Sequence, residues 1–322
     1  MRALERPKPE HDYDADLEIE RLRTYRDTEP GRQIPDPSPG HVLVATWNVA
    51  NLGVHKRREA DCRVIAELLS WFEIVGVQEV ADNLEDFRRV LAHLPPHFAA
   101  LFTDRAGNDE RAAYLYDTRR ASLGSKIGEV AIVESDRRYV TLPGIDRPFL
   151  GFNRNPYLAS FRVEGADLLL ANCHLLYGPT GSAAEEQESL ERRQLEAYAI
   201  ARWCDLRRQD SHRYTGDILA VGDFNLPKKE AGDPIYDALT KRGLQLPPHQ
   251  TTIPTNVSAD KDYDQIAVAP GLKNRIVDLG VFDFDGVLFH ELWNPPQTSY
   301  WRTCAKYYVS DHRPLWARLA LA

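Results

Sequence analysis

From His41 onward the chain alternates short apolar runs with amphipathic stretches. The segments HVLVATWNV, EIVGVQEV, AAYLYD, IGEVAIV, YLASFRV and DLLLANCHLL are apolar, rich in β-branched residues and bounded by turn formers. These features predict strands. DILAVGDFN, DYDQIAV, RIVDLGVFDF and PLWARLAL read the same way toward the C-terminus. Between them lie helical patterns. KRREADCRVIAELLSWF places Val64, Ile65, Leu68, Leu69 and Phe72 on one face. NLEDFRRVLAHL and DPIYDALTKRG predict two shorter helices, and residues 182–209 predict a long one with Leu190, Leu195, Tyr198 and Ala201 inward. So many consecutive strands do not fit simple βαβ winding. The pattern predicts an α/β four-layer sandwich, two packed mixed β-sheets flanked by helices.

Residues 1–40 break this rhythm. They are charged and rich in proline and read as an N-terminal extension and linker before a domain at 41–322. ADLEIERLRTYRD in that extension fits either a short helix packed on the domain or a mobile tail.

Several predicted strands end alike. An apolar run stops at a polar residue: Asn48, Glu79, His174 and Asp223, with Asp264 opening a strand and Asp311 and His312 just before the last one. In AVGDFNLP, Asp223 and Asn225 stand two apart, so a continuing strand would aim both to one face. One such residue is ordinarily a turn former, a cap or a structural histidine. Their repetition is the signal, because sites in layered α/β proteins gather at strand ends. Converging carboxylates would repel one another unless a hard cation sat among them. Asp, Glu and Asn oxygens suit Mg²⁺, Mn²⁺ or Ca²⁺ rather than zinc.

Composition narrows the class. The chain has 322 residues, 43% hydrophobic and 27% charged, as soluble globular proteins do. Its formal net charge of -8 means that any polyanion must be met by a local basic patch or a metal ion. Four scattered cysteines, Cys62, Cys173, Cys204 and Cys304, have no metal or redox spacing and fit a reducing cytosol. The charged N-terminus is no signal peptide, and no apolar run approaches membrane-spanning length. A cytoplasmic protein that uses no membrane is the expectation, and the sequence points to no obligate protein partner.

The motifs TWNV, GVQEV, RNPYLASF, NCHL, GDFN, YDQI and SDHRP follow one another in this order. In this the chain resembles the endonuclease/exonuclease/phosphatase superfamily of metal-dependent phosphoesterases. That superfamily includes pancreatic-type deoxyribonucleases, abasic-site endonucleases and inositol-polyphosphate phosphatases. The resemblance implies Glu79 as main metal ligand, helped by Asn48 and joined by Asp311. It implies that Asp223 and Asn225 orient the nucleophile and hold a phosphoryl oxygen. His312 would be the general base, oriented by Asp264. His174 would be general acid or electrophilic stabiliser, paired with Glu110. Arg154 would touch a substrate phosphate, unless it is an ordinary surface arginine. QTTIPTNVSADKDYDQI resembles the Thr-rich segment that meets the nucleic-acid backbone, with Thr252 and Asn256 as contacts.

These roles imply divalent-metal-dependent hydrolysis of phosphodiesters, with DNA as the expected substrate and partner. A small-molecule or lipid phosphoesterase and a non-catalytic nucleic-acid binder are the alternatives. His174 stands where abasic-site enzymes usually carry tyrosine, and Val80, Ala81 and Asp82 replace the arginine expected after QE. HKRRE at 55–59 reads as a DNA-facing loop or a charged helix start, and DRRYVTLPG at 136–144 as a DNA-facing or plain loop. Trp293, Tyr300, Trp301, Tyr307 and Tyr308 could stack bases or fill the core.

Overall fold

The computed structural model describes residues 4–293 and 298–321. Two mixed sheets pack face to face with helices outside each, as expected. The first sheet is built from β1 (His41–Leu52), β2 (Ile74–Ala81), β3 (Phe98–Phe102), β4 (Glu110–Asp117), β10 (Ile276–Val281) and β11 (Leu315–Ala320), in the order β10-β11-β1-β2-β4-β3. The second orders β5 (Ala121–Glu129), β6 (Tyr157–Val163), β7 (Ala166–His174), β8 (Ile218–Asp223) and β9 (Asp264–Val268) in sequence. β1 runs parallel to β2, and β7 parallel to β8; the other pairs are antiparallel.

Three apolar layers hold the sandwich. The central one joins the sheets through residues such as Val44, Ile74, Tyr114, Phe161 and Val221. The second lies between the first sheet and α2 (Glu59–Leu69), α3 (Glu85–His93) and α7 (Thr298–Tyr308). The third lies under α5 (Ala183–Gln209) and α6 (Pro234–Thr240). Full burial of one such side chain stabilises by roughly 1.5–3 kcal/mol.

The N-terminal segment adopts the packed helix of its two readings. α1 (Ala15–Thr28) buries Leu22 completely, and Arg23 grips Glu67 of α2 with two bonds of 2.7 and 2.8 Å. Buried Glu18 accepts the Phe289 amide at 3.1 Å.

Some elements differ from the sequence reading. β3 was not foreseen, because FAALF is only half-buried and too short to show a period. β5 begins at Ala121, before the apolar IGEVAIV run, because its pairing with β6 extends back through polar residues as far as Ala121 opposite Val163. The aromatic segment before SDHRP is mostly α7, with Trp301, Cys304, Ala305 and Tyr308 buried on its helical face. Trp301, Tyr307 and Tyr308 fill the core, and Trp293 and Tyr300 pack against it partly buried; residues 294–297 lie outside the described residues. HKRRE is no DNA-facing loop either. His55 and Arg57 are buried, and Arg58 opens α2. The segment 136–144 holds the end of the short helix α4 (Glu134–Arg137) and a loop that buries Val140 under α5. No helix among the described residues is long and apolar enough to cross a membrane.

Candidate active site

The second sheet supplies a row of three side chains. His174 ends β7 directly opposite Asp223 at the end of β8, and Asp223 lies opposite Asp264 at the start of β9. Directly opposed residues sit close enough to interact. Gly222 permits this approach. A Cβ there would stand 1.9 Å from the Cys173 carbonyl oxygen, and its φ of +138° suits glycine alone.

Strand alternation does not explain the pairing of Asp223 with Asn225. β8 ends at Asp223, and Asn225 turns into the left-handed region at φ 48°. Its amide donates to Asp223 Oδ1 at 2.8 Å, an Asx-type turn, and its Nδ2 donates to the Leu175 carbonyl at 2.9 Å. Asn225 thus ties the ends of β7 and β8 together behind the carboxylate.

The first sheet brings Asn48, Glu79 and Glu110. Register shifts disturb β2 against both β1 and β4, and Glu79 takes φ 60° between them. Such bulges re-aim side chains next to active sites, and left-handed non-glycine residues cost about 1–3 kcal/mol. Glu79 Oε2 accepts the Asn51 amide at 2.7 Å. Asn48 Nδ2 bridges Glu79 Oε1 and Asp223 Oδ2, both at 3.0 Å, and so joins the two sheets. Ser310 Oγ donates to the Asn48 carbonyl at 2.7 Å and accepts the His312 amide at 3.0 Å. Trp47 Nε1 donates to the His312 carbonyl at 2.8 Å. The buried Arg57 gives its nitrogens to carbonyls of residues 50 and 309 at 2.7 and 2.9 Å, locking the β1 end to the segment that carries His312.

Two histidine–carboxylate pairs flank Asp223. His312 Nδ1 lies 2.7 Å from Asp264 Oδ2, and its Nε2 lies 3.8 Å from Asp223 Oδ2. His174 Nδ1 lies 2.5 Å from Glu110 Oε1, and its Nε2 lies 3.5 Å from the same Asp223 oxygen. Burial lowers the affinity of His312 for a proton, but Asp264 and Asp223 outweigh it and hold the imidazole well above its ordinary value. Burial and Arg154 oppose the proton on His174, while Glu110 and Asp223 raise it. Burial raises the Asp264 carboxyl to about 6, against the pull of His312. Asp223 is lowered, since the two imidazoles overcome its burial.

The residues fit a hard cation. Asn48 Oδ1 and Asp264 Oδ1 are buried without a hydrogen-bond partner, which is costly unless something else meets them. Burial pushes the Glu79 carboxyl up; His174 opposes this, and Glu110 and Asp311 add to it, so these carboxylates crowd one another. Half-buried Asp311 also raises His312, which puts it near both. Asp223, Asp264 and His312 present ligand-type atoms within 4.8 Å of one another. His312 Nδ1 is already engaged by Asp264, which suits a proton-relay dyad better than a ligand. Glu79, Asn48 and Asp311 form the more apt oxygen set.

The three expected substrate contacts lie in different settings. Arg154 is no surface residue: it is buried behind His174, donating to the His174 and Leu175 carbonyls at 2.9 and 2.7 Å and lying 3.3 Å from Glu110. Two of its nitrogens are therefore spent on backbone rather than held ready for phosphate. Thr252 is exposed at φ 52° and lines an adjoining cleft of about 490 Å³ with Lys229, His249 and Asp262. The Asn256 side chain accepts the Asp260 and Lys261 amides at 3.0 Å, closing its own loop. Sequence reasoning missed Thr255, Ser310 and Arg57. Thr255 Oγ1 accepts the Asp264 amide at 3.0 Å. Thr255 lies in the noted Thr-rich segment, Ser310 opens SDHRP and Arg57 lies in HKRRE, but the motifs give these three no role of their own.

No family model matches the chain. A curated relative, "Deoxyribonuclease" of Thioalkalivibrio sp. (strain K90mix), is 26% identical over 297 residues, covering 88% of this chain and 72% of the relative. An endonuclease/exonuclease/phosphatase family protein from Bacteroides thetaiotaomicron shares the fold with a TM-score of 0.55 at 19% identity, over 88% of this chain and 96% of that one. The human Nocturnin catalytic domain with bound sulfate gives 0.55 at 17%, over 89% and 96%. The 3' phosphatase NExo from Neisseria, bound to a product DNA hairpin, gives 0.51 at 14%, over 86% and 99%. The chain has the fold of the endonuclease/exonuclease/phosphatase family.

Proposed function

We propose that the chain is a divalent-metal-dependent phosphoesterase that hydrolyses phosphodiester bonds of DNA. One observation carries the reading. Asp223 Oδ2 sits between two imidazole Nε2 atoms, at 3.5 and 3.8 Å, each imidazole backed by a carboxylate on its Nδ1. DNA is supported by the name of the deoxyribonuclease relative and by the hairpin bound to NExo.

Glu79 and the free Oδ1 of Asn48 would hold Mg²⁺ or Mn²⁺, with Asp311 beside them. A divalent cation there supplies positive charge to the phosphoryl oxygens as negative charge builds on them. Asp264 accepts from His312 Nδ1 and leaves Nε2 to take the proton from the attacking water. Asp223 accepts from that water and aligns it. As the water oxygen bonds to phosphorus, the ester bond opposite breaks. His174 Nε2, steadied by Glu110, gives its proton to the departing oxygen. Each positioned proton transfer contributes about 10²–10⁴-fold. No covalent enzyme intermediate is required.

Supercoiled plasmid, linear duplex and single-stranded DNA incubated with Mg²⁺ or Mn²⁺ provide the test. Cutting that stops in EDTA, returns with metal and is lost in Asp223→Ala supports the reading. Intact DNA with release of phosphate from small phosphoesters would replace DNA by a small substrate. Cleavage that survives exhaustive chelation would remove the metal.

A further inference from the structure

Arg193 is a buried cation that no carboxylate meets directly among the described residues. It projects from α5, is 8% exposed, and forms no ion pair among the described residues. Its Nη1 donates to the Asn225 carbonyl at 3.0 Å, while its Nε is buried and unbonded. Other buried arginines are balanced or fully spent. Arg313 grips Asp285 with two bonds of 2.6 Å, and Arg154 adjoins Glu110. A buried charge without a direct ion pair is costly, and an anionic ligand would relieve that cost. Its bond to the Asn225 carbonyl sets Arg193 beside the turn that carries the catalytic carboxylate Asp223. The Arg193 guanidinium carbon lies 5.4 Å from the ring of Tyr177, three residues after His174. Tyr177 is 57% exposed, unusual for an aromatic beside a buried site. Half-buried Tyr263 packs against His312 with ring centroids 5.7 Å apart.

We propose that Arg193 and Tyr177 form a nucleotide subsite beside Asp223, in which Arg193 takes a substrate phosphate and Tyr177 the face of an adjoining base. This rests on the phosphoesterase reading above and selects its substrate class: phosphodiesters next to planar rings, hence nucleic acid over sugar or inositol phosphates. With Nη1 on the Asn225 carbonyl and Nε buried, Arg193 has its Nη2 left to donate to a phosphate oxygen. Its backbone bond to Asn225 ties phosphate binding to the turn that carries Asp223. Tyr177, braced from behind by the guanidinium, offers a stacking surface that accepts any base.

Two single-stranded substrates of equal length separate the contacts: an ordinary oligonucleotide and one of abasic tetrahydrofuran units, which keeps the phosphates and lacks the bases. Tyr177→Ala should raise KM for the ordinary strand by about 5- to 150-fold, the span of one base stack, and change KM for the abasic strand far less. Arg193→Gln should raise KM for both, with its melting temperature checked beside the wild type. Tyr177 is exposed, so its variant decides even if Arg193→Gln fails to fold. A Tyr177→Ala variant with wild-type KM on the ordinary strand overturns the subsite. A wild type that cuts duplex DNA but neither single strand with Mg²⁺ or Mn²⁺ overturns the subsite; one that cuts no DNA at all overturns the nuclease reading itself, and the subsite with it.

Discussion

His312 leans on Asp264, and His174 on Glu110, each through Nδ1, yet the two carboxylates keep different company. Asp264 is fully buried, pairs with no arginine among the described residues and leaves Oδ1 unbonded. Glu110 shares its oxygens with Arg154 at 3.3 Å and with Asn108 at 3.3 Å. The outcome is electrostatic. Burial lifts Asp264, whereas His174 and Arg154 overcome burial and hold Glu110 below the ordinary carboxylate range. Against its burial, His312 is held in its protonated form by Asp264, Asp223 and Asp311. His174 meets the cation of Arg154 as well, which loosens its proton. One fold has placed two similar pairs around one carboxylate, and a single arginine separates their strengths. Once free of its proton, the imidazole that binds protons more tightly is the stronger base toward water; the looser one suits giving a proton to the leaving oxygen.

Removing each imidazole tests this difference most strongly. His312→Ala should lower kcat/KM by about 10³–10⁴-fold and His174→Ala by about 10²–10³-fold, within the usual span for proton transfer. Melting temperatures should stay within a few degrees of the wild type, since both side chains face the pocket. Steady-state kinetics on a labelled duplex checks both. Equal losses would mean that the two pairs share one role, and near wild-type turnover in His312→Ala would remove it as the base.

How far the sequence shows this arrangement depends on which sheet is considered. The row His174, Asp223 and Asp264 is legible, because each ends or opens an apolar run and the strands bring the ends level. Glu79 is legible as a residue and not as a geometry. Periodicity carries no information on the bulge and the left-handed turn that aim it. Asn225 misleads for the same reason, since alternation assumes a strand that has already ended. Arg57 and Arg154 look like surface charge in the sequence; only the fold shows each spending its donors on strand-end carbonyls. Arg193 is the hardest to see. The inner face of α5 carries Ser189, Arg193 and Glu196 beside Ala197 and Ile200. A search for apolar spacing passes over polar residues buried at the same spacing.

Neutralising the carboxylates sharpens the comparison at smaller scale. In metal-free protein, NMR titration of the imidazoles should find His312 above its usual value near ~6.5. Asp264→Asn removes the largest raising charge on His312, so its titration should fall while that of His174 stays nearly in place. Glu110→Gln should lower His174 and leave His312 nearly unmoved. In the general-base reading, the acid limb of kcat/KM then moves to lower pH in Asp264→Asn, because the imidazole becomes free of its proton sooner. An unchanged His312 titration in Asp264→Asn would break the dyad.

The smallest expected effect comes from the residue that sets the two pairs apart. Arg154 opposes the proton on His174, so Arg154→Gln should raise the His174 titration. A tighter proton is a poorer gift to the leaving oxygen, so kcat should fall modestly, by less than about tenfold. The alkaline limb should move to higher pH, because His174 stays protonated longer. Arg154 also binds the carbonyls of His174 and Leu175, so some loss of stability is expected, of about 1–3 kcal/mol. Denaturant melts of the variant measure that loss separately from the titration. The shift at His174 should not be matched at His312, which lies across Asp223 and draws its raising charge from Asp264, Asp223 and Asp311. If both imidazoles move together in Arg154→Gln, Asp223 couples them into one titrating unit, and the division into a tight base and a loose acid fails.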